Sequence, residues 1–159
     1  MEKKAGTLIV FSGDLDKIMA SFIIATGAAA SGMKVNMFFT FWGLKLLQQE
    51  GAKTKGVGWM KKMFSFMVKP GPDKRPISKL NMMGMGASMM KKIMKKSNMP
   101  DLKSMLTMAH DLGVKMTACS TSMGVLGIKK DTLIPEVTNV AGVTSFLADA
   151  NESSFTLFI

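Results

Sequence analysis

Apolar residues fall along this chain in two rhythms. Short continuous runs at 7–11, 35–40, 114–119, 137–140 and 154–159 are rich in strand formers, the pattern of strands buried on both faces. Between them, apolar positions recur every three to four residues. Ile18, Met19, Phe22, Ile23, Ala25 and Thr26 mark a helix that opens at Asp14 and stops at Gly32. A short helix is predicted at 44–49, halted by Gly51. Leu102, Met105, Leu106, Ala109 and Leu112 stripe another, entered at Pro100 and Asp101 and ended by Gly113. Shorter helices are predicted at 120–126 and 143–150.

Strands alternating with helices predict right-handed crossovers and a mostly parallel sheet. The expected class is α/β: a flavodoxin-like three-layer sandwich with five strands in the order 2-1-3-4-5 and a helical insertion after the second strand. One domain is expected over 1–159, with the insertion at about 52–99. In such sheets ligands gather outside the carboxyl ends of the strands. The segments expected there are Ser12, Gly13 and Asp14; Thr40, Phe41, Trp42 and Gly43; and Cys119, Ser120, Thr121, Ser122 and Met123.

The insertion has its own pattern. Trp59, Met60, Met63, Phe64 and Met67 share one helical face, with Lys61, Lys62 and Ser65 opposite. Prolines 70, 72 and 76 make 69–76 a loop. Over 88–97, Met89, Met90, Ile93 and Met94 oppose Lys91, Lys92, Lys95 and Lys96. Charge sharpens this picture. The formal net charge is +10, and the 11 basic residues and one acid between Lys55 and Lys96 account for all of it. Nine of the 18 methionines lie there too.

Several uses fit this segment: a helical layer packed on the body or on another subunit, a peripheral membrane contact through 59–67 and 88–97, or Cu(I) binding by thioethers such as Met85 and Met89. Nucleic acid fits poorly, because the few aromatics lie on the apolar face and are not interleaved as stacking platforms. The insertion also suggests a lid over Cys119, with Gly56, Gly58, Gly84 and Gly86 as hinges.

The lone cysteine excludes an internal disulfide and fits a reducing cytoplasm. No secretory signal is visible, and no stretch approaches the roughly 20 apolar residues of a membrane span. Cys119 ends a strand and precedes a helix start, where backbone N–H groups favour an anion. A buried structural cysteine is the competing reading. Arg75, the only arginine, is expected out in the insertion loop, which disfavours peroxidase and phosphatase chemistry. His110, the only histidine, is expected on the solvent flank of its helix, which disfavours a cysteine hydrolase. One Cys and one His are too few for a metal, and no cofactor is expected.

The segments 11–17 (FSGDLDK), 37–44 (MFFTFWGL), 58–63 (GWMKKM), 80–86 (LNMMGMG) and 118–123 (ACSTSM) resemble the DsrE/DsrF/DsrH-like family, in its larger DsrE-type members. The resemblance spans nearly the whole chain. It implies a flavodoxin-like sandwich, homo-oligomeric assembly, and a sulfurtransferase or sulfur carrier that holds sulfane sulfur as a persulfide on Cys119. The +10 charge suits a sulfur-carrier or other sulfur-relay protein as partner, and the expected location is cytoplasmic, with peripheral contact at the inner membrane surface through the amphipathic stretches. The alternative is a non-enzymatic module that binds a small ligand or docks on a membrane or partner.

Overall fold

The computed structural model describes residues 4–52, 70–73 and 75–159. The helix expected at 59–67, the Gly56 and Gly58 hinges and the 58–63 motif lie outside them.

Strands β1 (Ala5–Val10), β2 (Lys34–Phe39), β3 (Lys115–Cys119), β4 (Asn139–Ala141) and β5 (Phe155–Phe158) form one all-parallel sheet. The described helices are α1 (Leu15–Ala30), α2 (Met85–Lys96), α3 (Leu102–Asp111), α4 (Ser120–Leu126) and α5 (Val143–Asn151). The helix expected at 44–49 is a 3-10 turn, Gly43–Leu47.

The α/β class and the layered architecture are as expected. The strand order needs a correction. It is β4-β3-β2-β1-β5, so β2 lies between β1 and β3, and the flavodoxin order 2-1-3-4-5 does not hold. Edge and interior explain why. β2 carries the unbroken apolar run Met37, Phe38 and Phe39, all buried, and takes an interior place. β4 has three residues, none of them buried, and tolerates an edge.

Side chains alternate between the two faces. Leu8, Val10, Met37, Phe39, Met116 and Ala118 meet α1, α3 and the Gly43–Leu47 turn in the main core, where Phe22 and Leu44 are fully enclosed. Ile9, Phe38 and Cys119 point the other way and pack against Phe146 and Ala150 of α5.

The α2 stripe is divided. Ala87 and Met94 are buried and Met90 packs on the core, whereas Met85, Met89 and Ile93, one turn apart, are exposed. The helix seats by one narrow row and leaves its neighbour uncovered. Gly86 is no hinge: a Cβ there would come within 2.1 Å of the Leu80 carbonyl oxygen, so close packing requires the glycine.

Candidate functional site

Cys119 closes β3 and occupies the N-cap of α4 with extended backbone. Because Met116 and Ala118 enter the main core, Cys119 faces α5. The same alternation turns Thr40, just past β2, to that face. β2 and β3 pair in parallel with Phe39 opposite Ala118, so the next residues, Thr40 and Cys119, stand side by side.

The Thr40 Oγ1 and Ser122 Oγ atoms lie 2.7 Å apart. One hydroxyl proton serves that mutual bond, which leaves the other for the sulfur. Burial alone would push the Cys119 thiol up. The Ser122 hydroxyl and N–H, the Thr40 hydroxyl and the Thr121 N–H outweigh it and hold the thiol below its ordinary range. Two of these donors, the Thr121 and Ser122 N–H groups, belong to the helix start that the sequence pointed to, and the two hydroxyls add to them. The thiol is 6% exposed, with the Phe38 and Phe146 rings (centroids 5.4 Å apart) on its apolar side. Such a sulfur can act as a nucleophile without a neighbouring base. His110 supplies none: it is exposed, beside Asp111.

The other expected residues divide. Thr121 donates to the sulfur through its backbone, and Ser120 is exposed, turned toward Gly142. Met123 belongs to the main core, on the face away from the thiol. Ser12, Gly13 and Asp14 form a second cluster with the next loop. The Ser12 Oγ accepts from the Asp14 N–H and donates to its carboxylate, each at 3.1 Å, and Lys17 pairs with that carboxylate at 3.0 Å. Asp14 holds the N-cap position of α1, but its side chain does not cap the helix. Gly13 lies against Trp42: a Cβ there would sit 3.2 Å from the Trp42 Cβ and carbonyl oxygen. Gly43 donates to the Phe11 and Thr40 carbonyls, and the Phe41 ring lies tilted against Phe11, with centroids 5.5 Å apart. The Phe11 and Gly43 contacts join the two clusters along one edge of the sheet.

Sequence reasoning missed two things. It placed Thr40 at the strand ends without its contact to the sulfur, because only the true strand order sets it beside Cys119. It also left Arg75 in a solvated loop, whereas that side chain is 2% exposed and its Nη1 would lie 3.6 Å from a Cβ at Gly13. A single arginine among lysines and prolines gives no signal of burial. No group of three or more His, Cys, Asp or Glu able to hold a metal occurs among the described residues.

Residues 2–158 match the DsrE/DsrF/DrsH-like family. The chain is 44% identical over 158 residues to the uncharacterized protein YrkE of Bacillus subtilis, covering 99% of this chain and 98% of that protein. It is 33% identical over 168 residues to the sulfur carrier protein DsrE2 of Allochromatium vinosum, covering all of both. In fold it resembles the ychN protein of E. coli (TM-score 0.56, 13% identity, all of both chains). It likewise resembles MTH1491 of Methanobacterium thermoautotrophicum (TM-score 0.56, 11% identity, 98% and 99% of the chains). This chain therefore belongs to the DsrE/DsrF/DrsH-like family, whose members include a sulfur carrier.

Proposed function

We propose that this protein is a sulfur carrier that takes up sulfane sulfur on Cys119 as a persulfide and passes it to the thiol of a partner protein. The observation that carries this reading is a thiol made more acidic than usual by two hydroxyls and two backbone N–H groups. Likeness to a sulfur carrier over the whole chain supports it. The Cys119 thiolate attacks the outer sulfur of a donor persulfide. A new S–S bond forms, the donor's S–S bond breaks, and the donor leaves as a thiolate. An acceptor thiolate then attacks the outer sulfur of the Cys119 persulfide and releases the Cys119 thiolate. Neither step changes the net oxidation state. After brief treatment with polysulfide, the intact mass of the wild-type protein rises by about 32 Da, one sulfur atom. The Cys119→Ser variant gains nothing. A wild-type protein without the adduct, or a variant with it, removes the reading.

One further feature supports a docking role beside the relay. No helix among the described residues is long and apolar enough to cross a membrane. α2 nevertheless exposes Met85, Met89 and Ile93 next to Lys91, Lys92, Lys95 and Lys96, a pattern suited to the surface of an anionic bilayer. The protein is expected to float with phosphatidylglycerol vesicles and not with neutral ones, and Met89→Glu/Ile93→Glu to stay behind. If those substitutions instead reduce the sedimentation coefficient without vesicles, the row joins copies of this chain and the membrane assignment is wrong.

A further inference from the structure

The walls around the Cys119 thiol are not equally fixed. Phe38 belongs to β2, which is paired on both sides, with β1 and β3, so its ring cannot withdraw without breaking the sheet. Phe146 comes from α5, whose apolar contacts lie on the Cys119 face, whereas α1, α2 and α3 pack into the main core on the other face.

α5 is lightly held. Of its nine residues Phe146 alone is buried, while Val143 and Leu147 are exposed. Its N-cap is Gly142, which has no side chain to cap it. The polar ties gather at the far end of the helix. Lys115 pairs with the Asp149 carboxylate at 3.1 Å, the Ser153 Oγ donates to the Asp149 carbonyl at 2.7 Å, and the Thr7 and Ser153 hydroxyls lie 2.7 Å apart. In the first half of α5 the Phe146 ring is the side chain that reaches the sheet, 5.4 Å from the Phe38 ring. Segments with few buried apolar contacts open locally at a lower cost than the whole domain.

We propose that Phe146 is a specificity-determining residue for the loading of Cys119: its ring keeps bulky sulfur donors from the thiol and admits inorganic polysulfide. The gate stands on packing alone, whereas the naming of the donor rests on the sulfur-carrier reading. The thiolate attacks the terminal, protonated sulfur of a hydrogen polysulfide. One S–S bond forms and the next breaks. The proton stays on the outer sulfur, and a polysulfide dianion one sulfur shorter departs. An acceptor later meets that outer sulfur about 2 Å beyond the cysteine sulfur, so unloading tolerates a larger partner than loading.

The test compares alkylation of the full chain by iodoacetamide and by its N-naphthyl derivative, followed by intact mass. Both reagents consume the same thiolate, so thiol acidity cancels in the ratio of bulky to small rates. That ratio is expected to rise about tenfold or more from wild type to Phe146→Ala. Phe146→Leu, a milder change for the fold, shifts it less in the same direction. Leu106→Ala weakens the main core on the opposite face and leaves the ratio as in wild type. Loading follows the same order: wild type gains sulfur faster from polysulfide than from glutathione persulfide, and Phe146→Ala narrows the difference. If no protein gains sulfur, the relay reading fails, and the alkylation ratios still decide the gate. A wild type that loads equally fast from both donors overturns the naming of the donor. An unchanged ratio in both Phe146 variants, or an equal rise in Leu106→Ala, overturns the gate.

Discussion

Removing both hydroxyls beside the sulfur, in Thr40→Val/Ser122→Ala, is expected to slow alkylation of Cys119 by iodoacetamide at pH 7 about tenfold or more. A hydrogen bond to a charged group contributes about 1.5–3 kcal/mol, and about 1.4 kcal/mol corresponds to one pH unit of thiol acidity. The Thr40 and Ser122 hydroxyls share one proton between themselves, so the pair delivers roughly one such bond to the sulfur. The Thr121 and Ser122 N–H groups remain and keep part of the effect. The rate measured against pH should shift its midpoint upward and reach the wild-type value in alkali. An unchanged midpoint would show that the hydroxyls do not set the acidity of this thiol. Stability follows the same sign. Folding lowers the thiol pKa, so this contribution is fully present above the ordinary cysteine value and is lost as pH falls through the folded one. The double variant loses most of that pH dependence.

Gly43→Ala is expected to destabilise the fold by about 3 kcal/mol, read from urea unfolding, and to raise the alkylation midpoint as well. A Cβ at this position would lie 2.2 Å from the Val10 carbonyl oxygen, which is backbone and cannot swing away. The Gly43 N–H also holds the Phe11 and Thr40 carbonyls, so displacing it moves Thr40 from the sulfur. Gly27→Ala in α1 provides the contrast. Nothing lies within 4 Å of its added Cβ, and the exchange should stabilise the helix by up to about 1 kcal/mol. If Gly43→Ala proves as harmless as Gly27→Ala, the close approach of the two loops is not what holds Thr40 in place.

Strands β1, β2 and β3 were legible because their apolar runs are continuous, and α1 and α3 because their stripes are regular. Strand order was not, since β1 is interior in both the expected and the observed sheet. The useful signal was the contrast between Met37, Phe38 and Phe39 in β2 and Thr138 and Asn139 at β4, which marks β4 as the edge. That one difference decides the chemistry. In the order 2-1-3-4-5, β1 would separate Thr40 from Cys119, and the thiol would lose a donor. Arg75 and Lys45 were illegible for another reason. A cation's position in sequence says nothing about whether a neighbouring loop folds over it.

The Thr40 and Ser122 pair is a set of rotors as much as a set of donors. In the proposed relay the sulfur chain on Cys119 grows by one atom, and the negative charge migrates outward from the cysteine sulfur to the terminal one. Hydroxyl hydrogens turn about their C–O bonds easily, whereas a backbone amide is fixed in direction. The cradle can therefore follow the migrating charge without any shift of the main chain, and loaded and empty forms need differ only in where two protons point.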